Sequence, residues 1–167
     1  LYLLDAYALI FRSYYAFIRA PRINSKGQNV SAVFGFALSL FDILTKQKPD
    51  YIAVAFDMPG GSFRNELYEP YKAQREAPPE DILNSVPVIL ELLQALRIPA
   101  VSMQGYEADD VIGTLAKRAE ADGYRVYMVT PDKDYGQLVS PHCTMLMPAT
   151  GGFKEMGVAE ICAKHEI

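Results

Sequence analysis

The 167-residue sequence is short of the residues that build soft-metal and redox sites. Its two cysteines, Cys143 and Cys162, form no C-x-x-C pair, and its two histidines, His142 and His165, stand at no zinc-ligand spacing. Zinc is disfavoured, and a reducing compartment is the simpler reading. No stretch approaches the ~18 uninterrupted apolar residues of a membrane span. The apolar opening run is broken by Asp5 and has no basic leader, so a soluble, cytoplasmic protein without a membrane partner is expected. A basic excess is also missing. The net charge of −4 argues, taken alone, against a general nucleic-acid binder, because neutralising phosphates requires surplus lysine and arginine. Internal repeats and low-complexity tracts are absent.

Half of the residues are apolar, enough to bury one sizeable core and too few residues for two, so a single domain over 1–167 is expected. Short apolar runs alternate with longer segments of helical period, the pattern of an α/β fold with a parallel sheet flanked by helices. Strands are expected at Leu1–Leu4, Tyr51–Phe56, Ile98–Met103 and Arg125–Thr130, with a weaker one at Thr144–Met147. Helices are expected at Tyr7–Phe17, at Ser31–Gln47 with Ser31 as N-cap, at Glu80–Leu96, and at Glu107–Ala121 closed by Gly123. Another begins near Val158. From Met58 to Pro79 the character changes to Pro, Gly, charges and rings, which reads as a long, mobile excursion of the kind that forms lids and binding loops.

The acids fall where the strands end. Asp5 follows the first strand, Asp57 the second, Glu107 with Asp109 and Asp110 the third, and Asp132 with Asp134 the fourth. In an open α/β sheet those positions border one crevice, the usual ligand site. Seven carboxylates so close cannot all stay ionised without counter-charge. All-oxygen donors favour hard cations, so Mg²⁺ or Mn²⁺ is expected, two ions being suited to in-line displacement at a phosphodiester. Setting these seven aside takes the net charge from −4 to +3, compatible with a polyanion partner. For any single acid the plainer explanation is a helix N-cap, but all four sites together are harder to explain so.

The excursion interleaves cations with rings directly after Asp57. Arg64, Lys72 and Arg75 are candidate phosphate contacts and Tyr71 a candidate base-stacking ring, although an ordinary solvated loop accounts for this composition equally well. Arg12, on the first helix, is a candidate for reaching the same crevice, as phosphate ligand or as ion-pair partner.

The strings Leu3-Leu4-Asp5-Ala6, Ala53-Val54-Ala55-Phe56-Asp57, Tyr71-Lys72-Ala73-Gln74-Arg75, Gly105-Tyr106-Glu107-Ala108-Asp109-Asp110 and Thr130-Pro131-Asp132-Lys133-Asp134 closely resemble the 5′-3′ exonuclease domain of bacterial DNA polymerase I, a flap-endonuclease relative. The resemblance runs along the whole chain. It implies a PIN-like or resolvase-like fold with a flexible helical arch over about residues 58–80, through which a single-stranded 5′ arm passes. It also implies hydrolysis of DNA 5′ ends, 5′ flaps and RNA primers in primer–DNA hybrids, with two or more divalent ions. Carried over by motif, Asp5, Asp57, Glu107, Asp109 and Asp110 serve chiefly one metal cluster and Asp132 with Asp134 a second. Lys72 and Arg12 take catalytic positions, and Tyr71 stacks. The family pattern continues beyond Ile167 with another aspartate pair and a helix-hairpin DNA-binding element. The activity of these 167 residues alone therefore stays open, and a monomer followed by polymerase domains is expected in a longer parent. Ala6 stands where many members carry Gly. A PIN-like ribonuclease, a phosphatase or phospho-acceptor with an aspartate nucleophile, and a DNA-binding module without chemistry remain alternatives.

Overall fold

Period-two alternation in the short apolar runs sends successive side chains to opposite faces of a sheet, and both faces here are covered. A computed structural model describes residues 1–72, 74 and 77–165. Strands β1 (Tyr2–Asp5), β2 (Ile52–Ala55), β3 (Ala100–Val101), β4 (Val126–Val129) and β5 (Cys143–Ala149) are parallel to their neighbours, while β6 (Gly152–Met156) returns antiparallel along β5. The order is β3-β2-β1-β4-β5-β6. Helices are α1 (Ala6–Ala16), α2 (Ser31–Asp42), α3 (Phe63–Leu67), α4 (Glu80–Ala95), α5 (Ala108–Ala121) and α6 (Val158–His165). Among the described residues, no helix is long and apolar enough to cross a membrane.

Tyr2, Leu4, Val54, Val129 and Leu146 point to the face covered by α1, α2 and α4, where they meet Leu9, Ile10, Phe36, Leu40, Ile82 and Ile89. Leu3, Ala55, Val126, Met128 and Met145 point the other way, under Ala108, Ile112 and Ala116 of α5. The chain builds outward from β1 to β2 and β3, then crosses back on α5 to β4 on the far side of β1. The strand order therefore reverses beside β1, and the carboxyl ends of β1 and β4 flank the crevice such a reversal creates.

The structure departs from the sequence expectations at several places. Ser31 is the first helical residue and not the N-cap; its hydroxyl accepts from the Arg22 N–H (2.9 Å), and its own N–H donates to Asn29 Oδ1 (3.1 Å). The helix it starts is α-helical to Asp42, continues as a π-helical turn over Ile43–Gln47, and stops at Lys48 with φ 48°. The strand expected over Ile98–Met103 narrows to Ala100–Val101, an edge strand paired only with β2. The described part of the 58–80 excursion has structure. It contains α3, closed by a capping box between Ser62 and Asn65, and Phe63 donates to the Gly105 carbonyl (2.8 Å) beside a parallel bridge from Ser62 to Gly105.

Helices α1 and α2 are tightly packed where Gly35 faces Ser13. A Cβ on Gly35 would lie 2.6 Å from Ser13 Cβ and 2.8 Å from its Oγ, and that hydroxyl is committed to the Leu9 carbonyl at 2.7 Å. Gly35→Ala is therefore expected to destabilise the fold by about 1–3 kcal/mol through overpacking, despite alanine's better helix propensity. Urea unfolding checks this; a variant at least as stable as the parent would contradict the packing described.

Candidate functional site

Local folding brings the acids to the crevice through ordinary capping. Asp5 ends β1 and caps α1, its Oδ1 accepting from the Ala8 N–H at 3.1 Å. Asp57, just past β2, accepts at Oδ1 from the N–H of Ala108, the first residue of α5, at 2.7 Å. Glu107 is the N-cap residue of α5, and Asp132 caps the 3₁₀ segment Lys133–Leu138 by accepting from Asp134 N (3.0 Å). Each bond satisfies an orphan helical donor and fixes a carboxylate at the same time. Asp5, Asp57, Glu107, Asp109 and Asp132 all line one open cleft of about 730 Å³, together with Lys72 and Tyr135.

Asp5 is buried, and both of its oxygens are engaged. Besides the Ala8 bond, Oδ2 accepts from the hydroxyls of Tyr135 (3.0 Å) and Thr130 (3.3 Å). Burial pushes its carboxyl up to about 6; the Ala8 and Tyr135 donors oppose the rise, and the charge of Asp57 adds to it. Asp109 is also raised, by partial removal from water and then by Asp110. Glu107 lies below the usual range. Burial works against its ionisation but is outweighed by Lys72 Nζ at 2.8 Å and by the hydroxyls of Ser62 (3.1 Å) and Tyr71 (3.2 Å). Asp110 is lowered chiefly by Arg64, which grips it bidentately at 2.6 and 2.8 Å. Arg64 and Lys72 are themselves braced against the rings of Phe63 and Tyr71, at 4.7 and 5.1 Å.

The sequence-derived candidates therefore divide. Asp110 turns away from the cleft lining to pair with Arg64 and to accept from the Glu107 N–H (3.0 Å). Asp134 is exposed and does not line the cleft. Arg12 lies in a separate groove with Ser39 and Phe153, not in the carboxylate cleft, because its place on α1 carries it past the face that Ala8 and Phe11 present there. Arg64, Tyr71 and Lys72, expected as nucleic-acid contacts, are held in this structure by Asp110 and Glu107. Arg75 lies outside the described residues. Sequence reasoning passed over Ser62, Thr130 and Tyr135; the available signal was that Thr130 and Tyr135 bracket the Asp132–Asp134 motif.

Among the described residues, no three His, Cys, Asp or Glu side chains are drawn together tightly enough to hold one ion. Asp5, Asp57, Glu107, Asp110 and Asp132 are instead bonded to N–H, hydroxyl or cationic donors. The lining nevertheless fits a hard divalent cation: its donors are carboxylate oxygens without thiolate or imidazole, and two of them, Asp5 and Asp109, have raised pKa values that a cation would relieve.

A family profile described as "5'-3' exonuclease, N-terminal resolvase-like domain" matches residues 1–166. DNA polymerase I of Treponema pallidum is 48% identical over 139 residues, covering 83% of this chain and 14% of that protein. A 5'-3' exonuclease of Aquifex aeolicus is 39% identical over 148 residues, covering 89% of this chain and 50% of that protein. The chain thus spans a small part of the polymerase relatives and half of the exonuclease. Among solved structures, the 5'-exonuclease of T5 with zinc bound superposes with a TM-score of 0.77 at 17% identity, over 100% of this chain and 61% of that one, a likeness of fold.

The ionisation of Asp5 has a consequence for stability. Its carboxyl stands at about 6 in the fold and near ~3.9 when unfolded. The fold therefore favours the protonated form: the stabilisation is full below pH ~4 and is lost as pH rises through about 6, on the order of 2–3 kcal/mol in metal-free protein. Asp5→Asn is expected to remove that component, so that the difference in stability between variant and parent changes between pH 4.5 and 7.5. Urea melts in EDTA measure it; parallel pH profiles would contradict the buried, strained ionisation of Asp5.

Proposed function

This chain belongs to the family of 5'-3' exonuclease N-terminal, resolvase-like domains, and from that membership we propose that it is the catalytic unit of a metal-dependent 5'-nuclease. Its substrates are phosphodiesters of DNA 5′ ends, 5′ flaps and RNA primers in replication and repair. The observation that carries the reading is the arrival of carboxylates from the ends of four parallel strands in one cleft, Asp5, Asp57, Glu107 with Asp109, and Asp132. Capping explains each acid singly and does not explain their convergence.

Mg²⁺ or Mn²⁺, two or more ions, would be held on those carboxylates and would supply an activated water and stabilisation of the leaving oxygen. The metal-bound T5 exonuclease supports a divalent requirement. The chain's own residues supply the rest. Backbone N–H groups and hydroxyls fix the carboxylates before any ligand arrives. Lys72 and Arg64 stand on acids of the cleft rim and move their charge to phosphate when a strand enters. A second opening of about 430 Å³ shares Asp57, Met58, Lys72 and Glu107 with the main cleft, so Lys72 stands between the two. This placement supports passage of a single strand beneath the 58–80 segment as arch, with Tyr71 stacking and Arg75 adding a phosphate contact. The protein acts as a cytoplasmic monomer, with polymerase domains following in the parent chain, as in the polymerase I relatives.

Labelled 5′-flap DNA incubated with the protein in Mn²⁺, in EDTA, and with Asp132→Ala tests this. Cleavage is expected in Mn²⁺ only, and Asp132→Ala is expected to reduce it by roughly 100-fold or more, the scale of losing preorganised charge stabilisation. Cutting that survives EDTA or the substitution would sink the proposal, and faster cutting of single-stranded RNA than of flap DNA would point to a ribonuclease.

A further inference from the structure

Asp5 is the most buried of the carboxylates that line the cleft. A carboxylate has about four acceptor positions, and here three are filled: one on Oδ1 by Ala8 N and two on Oδ2, by Tyr135 Oη at 3.0 Å and Thr130 Oγ1 at 3.3 Å. Oδ2 is saturated and Oδ1 is not. We infer that Tyr135, with Thr130, is a positioning residue for Asp5, rotating the carboxylate so that it presents Oδ1 alone to a divalent cation in the cleft. The inference rests on the metal-centre reading above.

The surroundings of Tyr135 suit this task. Its side chain is 3% exposed and packs in the core cluster beneath α5 with Leu3 and Met128, so the ring has no alternative place to go. The 3₁₀ segment that carries it is pressed on α6, where a Cβ at Gly136 would lie 3.2 Å from Ile161 Cδ1. Thr130 is fully buried, and its single hydroxyl both donates to Asp5 and accepts from the Asp132 N–H at 3.1 Å. It thereby ties the carboxylate at the end of β1 to the acid-bearing turn after β4. Tyr135 borders the cleft but is almost fully buried, as is Thr130, and both spend their hydroxyl proton on Asp5, so both act through it. Donors behind a ligating carboxylate fix its orientation, and their loss typically weakens metal binding by about 10–100-fold.

The test is Mn²⁺ affinity without DNA, read from the free-ion electron paramagnetic resonance signal on the intact protein. Tyr135→Phe keeps the ring and removes the hydroxyl, and is expected to weaken Mn²⁺ binding by about 10–100-fold while the metal-free protein keeps its circular dichroism spectrum and cooperative melting. Thr130→Val is expected to weaken it likewise, and Thr130→Ser, which restores the hydroxyl, to recover it; a merely structural role for these side chains predicts no such recovery. If Tyr135→Phe fails to fold, the Val and Ser pair at Thr130 decides. Asp5→Asn separates the two levels. Loss of affinity in Asp5→Asn with parental affinity in Tyr135→Phe and Thr130→Val overturns the positioning role and leaves the metal centre standing. Parental affinity in Asp5→Asn overturns both.

Discussion

Carboxylates gathered at the end of a parallel sheet repel one another, and the way that repulsion is offset governs both the folding of this chain's loops and the chemistry of its cleft. In the structure the offset comes from three sources. Helix N-termini supply N–H donors to Asp5 and Asp57. Buried hydroxyls supply Tyr135 and Thr130 to Asp5. The segment after β2 supplies whole charges, Arg64 to Asp110 and Lys72 to Glu107. The first two are built into the scaffold, whereas the third lies on a connection that the scaffold touches through Ser62, Phe63 and the acids themselves.

That division bears on function. The charged partners of Glu107 and Asp110 are the same residue types that a phosphate-bearing strand needs, and they are partly exposed, so exchange between carboxylate and phosphate carries a modest desolvation cost. On the proposed nuclease function, the ion pairs are a resting arrangement of the basic segment, with Arg64 and Lys72 held against the acids. Net charge alone hides this design: five of the 20 acids line one cleft, and setting those five aside takes the net charge from −4 to +1.

The sheet was legible in the sequence because four of its strands are short apolar runs each followed by an acid, and α5 because its apolar residues repeat at helical spacing. β6 escaped because Gly152–Met156 carries Lys154 and Glu155 on an edge and lacks a strong apolar alternation; the Gly151–Gly152 turn was its one local signal. The acids at the strand ends were legible as a group, but their individual fates were not. Asp110 and Asp109 are adjacent in sequence, and helical geometry sends one to Arg64 and the other to the cleft. Arg12, a candidate for the crevice from its place along the helix that Asp5 caps, is carried by two turns of that helix to a different groove. Tyr135 and Thr130 bracket the Asp132–Asp134 motif, but an aromatic and a threonine beside a strand look like core until their hydroxyl partners are known.

The cleft is proposed as a divalent-cation centre and not merely a set of helix caps. Anomalous diffraction from crystals of the protein grown with Mn²⁺ tests it most directly. Manganese peaks are expected within coordination distance of Asp5 and of at least one of Asp57, Glu107, Asp109 and Asp132, with Lys72 or Arg64 displaced from its acid. Manganese absent from the cleft at saturating concentration, with both ion pairs intact, would contradict it.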